Sequence, residues 1–482
     1  MEISISPRME PMPEQINSCL GQVDVPDRGT APTKGSAQSH SVSNFFRLLF
    51  RLLDEHRVRY CVLHSWEGLP DKLPSDLDLA VHPRDRARLP TVFQGLFEEG
   101  YRPVQRWQYR GRGAQFDFAW FEQEGMRSAR IDVTDRYWPH ALVLMPGEEL
   151  VRNRQQYKGF WVANPAVEFA YILVKKTLKG SLPPHQAERL KMLVNELGKS
   201  QAQKIAGELF GDRWKEQVVD ACAGGTLGGP LGQLKKRLWV TKLRRDPQNA
   251  FRYVLREVRR LAVRTFVPIG LFVVILGPDG VGKSTLVGRL AESLQQATFN
   301  RCRIFHWRPN VVAPQKETGM PVTDPHDKAP RGALGSIVVL FGLFLDYWLG
   351  FIFILRPILT RAGLVVFDRY YHDLLIDPLR YRYGGPMSLA KFLGRLVPAP
   401  DLLFLVDAED DIILSRKREV PPEELRRQRQ AYRQFTLGDR RATLVKTDRG
   451  IERTLGEANR FVVEFLSQRF QRHHARWLAL SR

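Results

Sequence analysis

Residues 277–285 have the residue types and the spacing of a phosphate-binding loop. Their sequence, G-P-D-G-V-G-K-S-T, follows an apolar run at 271–276 and precedes leucines at helical spacing. In such a strand–loop–helix unit, glycines let backbone N–H groups surround phosphate, a lysine reaches the β and γ oxygens, and a serine binds magnesium. The residues at the matching positions are Gly277, Gly280, Gly282, Lys283, Ser284 and Thr285. The segment therefore predicts a nucleoside-triphosphate site.

Two later apolar runs each end in an aspartate. Residues 364–367 lead into Asp368 and Arg369, and residues 402–406 lead into Asp407. Ligands of open parallel sheets gather at the carboxyl ends of the strands. We therefore expect Asp368 to hold magnesium through water and Arg369 to bind a phosphate. Asp407 has a weaker case, and capping of the helix that follows is its simpler interpretation.

From about residue 268 to 470 the chain resembles the thymidylate kinase family. The resemblance rests on the phosphate loop, on L-R-P-I-L-T-R-A-G-L-V-V-F-D-R-Y-Y-H-D at 355–373 and on P-D-L-L-F-L-V-D at 400–407. It implies a nucleotide kinase that uses ATP and Mg²⁺. By the same resemblance Asp279 contacts the acceptor nucleotide and Arg369 orients its phosphate. Arg308 matches an acceptor-binding arginine, and Arg416 and Arg418 belong to an arginine-bearing lid.

The same stretch departs from the family's pattern where the acceptor would bind. The surroundings of Arg308 lack the family's glycine-rich sequence, and the acceptor-base signature expected after D-R-Y is replaced by H-D-L-L-I-D at 372–377. The sequence therefore leaves the phosphoryl acceptor open.

Residues 336–355 are almost wholly apolar and long enough to cross a bilayer. Their one charge is Asp346, which is costly in lipid. The flanking cations give no clear sidedness. The family resemblance also places an aspartate in the helix before the strand at 364–367. We therefore expect a buried helix of an α/β domain, with membrane contact as the alternative.

In the N-terminal half, Asp76 and Asp78 lie two residues apart on a predicted strand and so point the same way. Asp132, on a neighbouring predicted strand, would complete a metal-binding set, with Asp117 as the runner-up. The pattern resembles the nucleotidyltransferase fold, with Ser65 in its small-residue signature and His64 in place of a glycine. Two lysines of a later helix could bind phosphate, although a solvated helix face is the simpler interpretation: Lys175 and Lys176.

The composition narrows the class of partner. The chain has 482 residues and a net charge of +21, which favours phosphate-bearing partners or an anionic membrane. The basic residues follow no nucleic-acid recognition motif, so nucleic acid is not favoured. Four widely spaced cysteines argue against a structural zinc site and a disulfide framework. The N-terminal residues lack the apolar core of a signal peptide, so we expect a cytoplasmic protein.

The sequence thus predicts an α/β, P-loop, parallel-sheet kinase-like domain preceded by an α+β nucleotidyltransferase-like domain with a helical extension. The expected divisions are a disordered tail (1–43), the nucleotidyltransferase-like domain (44–224), a basic linker or helix (225–265) and the kinase-like domain (266–475). Phosphorylation of a nucleoside monophosphate or a related small phosphorylated acceptor is the leading function. Nucleotidyl transfer at Asp76 and Asp78, and a nucleotide-gated protein of envelope polysaccharide production, are alternatives. A homodimer is left open.

Overall fold

The computed structural model describes most of the chain from Ser41 onward. The described residues are 41–72, 76–108, 113–123, 125–137, 145–224, 233–236, 238, 240, 248–299, 301–312, 329–417, 420–437 and 439–481. The predicted disordered tail, up to residue 40, lies outside them. The first helix begins at Val42, close to its predicted start, and the Ser41 hydroxyl caps it by accepting the N–H of Asn44.

The N-terminal half is built on a seven-stranded mixed sheet with the order β3-β4-β5-β2-β1-β9-β8. Its strands are β1 (Tyr60–Val62), β2 (Leu77–Val81), β3 (Arg102–Gln108), β4 (Ala114–Glu122), β5 (Gly125–Thr134), β8 (Gln155–Tyr157) and β9 (Phe160–Val162), with β6 (Arg136–Tyr137) and β7 (Met145–Pro146) as a separate pair. The predicted β4–β5 hairpin is confirmed, with Glu122 opposite Gly125. β2 and β5 run parallel and place Asp78 opposite Asp132.

Helices cover this sheet and continue into the predicted helical extension. They are α1 (Val42–Glu55), a 3₁₀ helix (Pro83–Arg88), α2 (Leu89–Glu98), α3 (Gly147–Leu150), α4 (Pro165–Lys179), α5 (Pro184–Leu197), α6 (Lys199–Phe210), a second 3₁₀ helix (Asp212–Trp214) and α7 (Lys215–Ala223). Helix α4 begins where the Asn164 side chain caps the N–H of Val167, and it ends at Gly180, which has the left-handed conformation. It packs its apolar residues against α5 and α6.

The C-terminal half contains a five-stranded sheet with the order β11-β12-β10-β13-β14, and all of its pairs are parallel. The strands are β10 (Leu271–Leu276), β11 (Cys302–His306), β12 (Leu364–Asp368), β13 (Leu402–Asp407) and β14 (Ala442–Lys446). The three central strands are buried along their whole length, which explains their continuous apolar sequences. This arrangement confirms the predicted parallel sheet.

The helices of this half lie around the sheet and before it. They are α8 (Gln248–Phe266), α9 (Lys283–Ala297), α10 (Ala333–Gly350), a π-helical turn (Phe351–Leu355), α11 (Arg356–Leu359), α12 (His372–Ile376), α13 (Met387–Leu396), α14 (Asp410–Arg416), α15 (Pro422–Leu437) and α16 (Ile451–Ser481). The two halves touch: α16 lies against β3, and the ring of Phe470 packs into the N-terminal core. Within the C-terminal half, the Arg469 guanidinium of α16 donates to the carbonyl oxygen of Gly270, just before β10, at 2.8 Å.

The prediction that residues 336–355 form a buried helix is wrong for much of the helix surface. The helical stretch 333–359 is long and apolar enough to cross a membrane by length and composition, yet only 28% of its most apolar 18 residues are buried. The side that carries Asp346 faces the core, whereas Val338 and Phe353 are exposed. The apolar side chains of this helix point in all directions around its axis, and the rest of the domain covers only one side of it. Sequence composition alone could not distinguish the two sides.

Candidate functional site

The predicted phosphate loop connects β10 to α9 at the carboxyl edge of the C-terminal sheet. Positive φ angles occur at three glycines: 149° at Gly277, 81° at Gly280 and 96° at Gly282. A Cβ atom on Gly277 would lie 2.4 Å from the carbonyl oxygen of Val406, so a larger residue does not fit. The loop therefore has the backbone that lets amide N–H groups approach phosphate.

The side chain of Lys283, at the start of α9, is turned into this loop and is 5% exposed. Its ammonium donates to the carbonyl oxygen of Pro278 at 2.6 Å and lies 3.5 Å from the carboxylate of Asp279. Burial, and after it the charge of Arg369, lowers the pKa of Lys283 to about 8. A phosphate group here would stabilise the ammonium form, because it adds negative charge beside a poorly solvated cation.

Ser284 and Asp368 meet as the sequence predicts. The Ser284 hydroxyl donates to Asp368 Oδ2 at 2.7 Å, while Asp368 Oδ1 is buried and has no hydrogen-bond partner in the described part of the chain. Burial alone would raise the pKa of Asp368, but hydrogen bonds and the Lys283 charge outweigh it, so the pKa lies below its usual value. An ionised carboxylate with one unsatisfied oxygen beside a hydroxyl fits Mg²⁺, which prefers oxygen ligands and retains water. Thr285, the next residue, is exposed in the first turn of α9.

Two arginines hold Asp279 at the opposite side of the loop. The predicted Arg369 contacts the Asp279 carboxylate and also pairs with Asp373 at 2.5 Å. Arg380, which the sequence reasoning missed, contacts the other carboxylate oxygen of Asp279. The backbone of Arg369 has a φ angle of 72°, a conformation that ordinary side chains rarely adopt and that is often found at functional sites. This cluster provides two guanidinium groups that can bind phosphate.

The loop after β11 carries Arg308 and is held in place by α10. The fully buried Asp346 carboxylate accepts the backbone N–H groups of residues 310–312 at 3.0, 2.5 and 2.7 Å. The Trp307 ring stacks on Tyr381 with the ring centroids 4.4 Å apart, and the Arg308 guanidinium lies 5.7 Å from the Trp307 centroid. The inward side of α10 therefore positions the loop of the predicted acceptor-binding arginine.

Arg416 lies over the phosphate loop. Its guanidinium donates to the carbonyl oxygens of Val281 at 3.4 Å and Thr447 at 3.3 Å. The second predicted lid arginine, Arg418, lies outside the described residues.

Asp407 does not cap the helix after β13, because the N-cap position of α14 is Glu409. Its carboxylate instead pairs with Arg429 at 2.8 Å and with Arg433, both on α15. Asp407 thus attaches α15 to the sheet, and capping is the wrong interpretation of its position.

In the N-terminal half, the buried Asp78 carboxylate already has three partners. Its Oδ2 atom lies 2.6 Å from the Lys175 ammonium and 2.7 Å from His64 Nε2, and its Oδ1 atom accepts the Tyr171 hydroxyl at 2.9 Å. Burial acts to raise the pKa of Asp78, but the charges of Lys175 and His64 outweigh it and hold the pKa well below its usual value. A divalent cation would therefore compete with an ammonium group for this carboxylate.

The predicted carboxylate set is brought together only in part. Asp132 is the register partner of Asp78, and Asp76 precedes β2. Across the described ranges, however, no group of three histidine, cysteine, aspartate or glutamate side chains could hold a metal ion. Asp117 pairs with Arg130 at 3.0 Å, and burial raises the pKa of Asp117 to about 6. The predicted metal-binding set is incomplete because Lys175 already supplies the positive charge beside Asp78.

The expected solvated positions of Lys175 and Lys176 are also wrong. The side chain of Lys175 is 14% exposed and that of Lys176 is buried. Both lie on α4, and the Lys175 ammonium is turned towards Asp78 and His64 instead of towards solvent.

No protein-family model matches the chain. Its similarity to curated proteins is to thymidylate kinases: it is 30% identical to that of Xanthomonas euvesicatoria over 154 residues and 30% identical to that of Xanthomonas campestris (strain B100) over 152 residues. Each match covers 31% of this chain and 62% of the relative, so the chain spans less than two thirds of the relatives' length. The solved structure of thymidylate kinase from Ehrlichia chaffeensis aligns over 40% of this chain and 98% of its own, with 21% identity and a TM-score of 0.29. The sequence similarities support a thymidylate-kinase-like P-loop region with an α/β fold.

Proposed function

We propose that the C-terminal half catalyses ATP-dependent phosphoryl transfer to a nucleoside monophosphate or a related small phosphorylated acceptor. The observation that carries this proposal is the phosphate loop, in which Lys283 lies buried beside the bonded pair of Ser284 and Asp368. Similarity to thymidylate kinases supports the same class of reaction.

The donor side would be formed by the loop and the two strand ends next to it. Backbone N–H groups and the Lys283 ammonium would bind the β and γ phosphates of ATP. Ser284 and Asp368 would hold Mg²⁺, Asp368 through water, and the bound ion would neutralise charge on these phosphates. Phosphoryl transfer needs positioning and charge stabilisation more than covalent help, and these groups supply both.

The acceptor side would be formed around Asp279. Arg369 and Arg380 meet on this carboxylate, so each can exchange part of that contact for an acceptor phosphate while Asp279 keeps the pair oriented. The loop of Arg308, held by Asp346, would approach from β11. Arg416, now bonded to backbone carbonyls, would turn towards the transferring group when the site closes and expels water.

The test is ADP release by the full chain with Mg-ATP and a panel of nucleoside monophosphates. At least one monophosphate is expected to stimulate release. Lys283→Ala should lower the rate about a hundredfold or more, because a preorganised charge on the transferring phosphate is lost. Lys391→Ala, which changes an exposed lysine on α13, is the matched control and should leave the rate unchanged. Failure of every monophosphate contradicts transfer to a nucleotide acceptor, and equal losses in the two variants contradict the role of Lys283.

The second candidate is nucleotidyl transfer at the N-terminal carboxylates, which the register of Asp78 with Asp132 favours. The engagement of Asp78 with Lys175 opposes it. Pyrophosphate release that disappears in Asp76→Ala/Asp78→Ala and survives in Lys283→Ala would support the transferase. Intact ATP binding without turnover would support a nucleotide-gated protein.

A further inference from the structure

Helix α8 places its apolar side chains outward. Phe251 is 74% exposed and Phe266 is 81% exposed, and between them lie further exposed apolar residues at helical spacing. These residues are Val254, Leu255, Val258 and Leu261. An amphipathic helix on a globular domain normally turns such a stripe towards the core. In α8 the stripe faces away from the described residues over a length of about 28 Å.

Contacts of the charged side explain this orientation. Arg260 and Glu257 form an ion pair at 2.5 Å in which both side chains are largely buried. The Arg264 guanidinium lies 4.9 Å from the centroid of the Trp107 ring and donates to the carbonyl oxygen of Gln108 on β3. Turning the apolar stripe inward would break these contacts and expose the same charges. The outward stripe is therefore the arrangement that the rest of the chain holds in place.

A second exposed apolar surface begins where α8 ends. The Arg356 guanidinium donates to the carbonyl oxygens of Thr265 and Phe266, so the end of α8 lies next to α11 and the π-helical turn. From there Phe353 and Ile352 continue along the exposed side of the helix towards α10. The outer residues of α10 are Leu334, Val338, Phe341 and Leu345. We call these exposed residues of α8, the turn and α10 the apolar face.

The helix that carries part of this face is docked on the domain. The Asp346 carboxylate binds three backbone N–H groups of the loop after β11, and the Tyr347 hydroxyl donates to the carbonyl oxygen of Trp307. Leaving the domain to cross a bilayer would strand a buried carboxylate in hydrocarbon. These contacts favour a helix that lies on a surface over one that spans a membrane.

We infer that the apolar face docks this protein on an anionic lipid membrane. The charge of the chain favours an anionic membrane over a second copy of the chain. Arg252 and Arg259 are exposed beside the stripe of α8, and the whole chain carries a net charge of +21. Two copies of such a chain repel each other at long range, whereas an anionic bilayer attracts each copy. Basic residues beside an outward apolar stripe are the pattern of helices that lie in the membrane interface. The inference is independent of the kinase activity.

Sedimentation of the full chain with vesicles tests this inference. Vesicles of phosphatidylcholine mixed with phosphatidylglycerol are expected to bind the protein, and phosphatidylcholine alone to bind it much more weakly. Arg252→Glu/Arg259→Glu should weaken binding to the mixed vesicles by about fivefold or more for each arginine. Phe251→Ser/Leu255→Ser should weaken it at least tenfold, because two large apolar side chains no longer enter the bilayer.

The control is Met192→Ser/Leu437→Ser, which changes two exposed apolar residues outside the apolar face and should bind like the wild type. All four changed apolar side chains are exposed, so the folded state should persist, and circular dichroism verifies it. Equal binding by the Phe251→Ser/Leu255→Ser protein and the wild type would overturn the inference. A wild type that binds neither kind of vesicle would also overturn the inference. The same holds for a wild type that forms a dimer in solution which only Phe251→Ser/Leu255→Ser dissociates.

Discussion

Replacement of Lys175 by methionine probes the buried ion pair with Asp78 directly. The substitution keeps most of the apolar length of the side chain and removes the ammonium that lies 2.6 Å from the carboxylate. Asp78 would then be a buried anion that has lost its main counter-charge. Loss of one partner of a buried ion pair typically costs about 3–5 kcal/mol. For a domain of this size the cost corresponds to a Tm lower by roughly 6–20 °C.

The same variant tests whether Lys175 takes the place of a metal ion. With the ammonium gone, the Asp78 carboxylate regains free lone pairs next to Asp132, its register partner. We expect Mn²⁺ to restore part of the lost Tm in Lys175→Met and to leave the wild type unchanged. The double variant Lys175→Met/Asp78→Asn should not respond to Mn²⁺, because the carboxylate is absent.

Calorimetric unfolding of the full chain, with and without Mn²⁺, measures these effects. Lys179→Met is the matched control, because Lys179 is an exposed lysine near the end of the same helix. A Tm loss in Lys175→Met no larger than that in Lys179→Met would refute the reasoning about the buried pair. An equal gain from Mn²⁺ in the wild type and in Lys175→Met would refute the reasoning about the metal.

Three further outcomes concern the C-terminal half. Binding of Mg-ATP above about pH 8 should take up a proton, whereas binding below about pH 7 should not, because free Lys283 has a pKa of about 8 and bound phosphate raises that pKa. Calorimetry in buffers of different ionisation enthalpy measures the proton uptake, which must vanish in Lys283→Met. Asp368→Asn should weaken Mg²⁺ about 10- to 100-fold in titrations of ADP release, and an unchanged Mg²⁺ dependence would remove Asp368 from the site. Asp346→Ala should lower the free energy of unfolding in urea by about 2–4 kcal/mol, because three N–H groups lose their acceptor; a loss below about 1 kcal/mol would contradict that role.

The features that the sequence predicted correctly depend on neighbouring residues. The run 271–276 is apolar because β10 is buried on both faces, and the glycines after it occupy φ angles that other residues avoid. The β4–β5 hairpin follows from two strand patterns around a short turn. The pairing of Ser284 with Asp368 was also accessible, because parallel strands end at the same edge of a sheet.

The features that the sequence could not give depend on segments far apart in the chain. Lys175 contacts Asp78 across 97 residues, and Arg380 contacts Asp279 across 101 residues. No local pattern distinguishes a lysine that will pair with a buried carboxylate from one that will face solvent. The outward face of α10 could not be predicted for a related reason. Its apolar residues occur on all sides of the helix, and only the packing of the domain decides which of them are covered.

The central claim is that the C-terminal half moves the γ-phosphoryl group of ATP to a small phosphorylated acceptor. The most direct measurement follows ATP radiolabelled in that group through a reaction with the panel of nucleoside monophosphates. The label is predicted to appear in a nucleoside diphosphate made by the wild type and by Lys391→Ala, and to be absent from that product with Lys283→Ala. Label found solely in ATP and inorganic phosphate for every acceptor would contradict the claim.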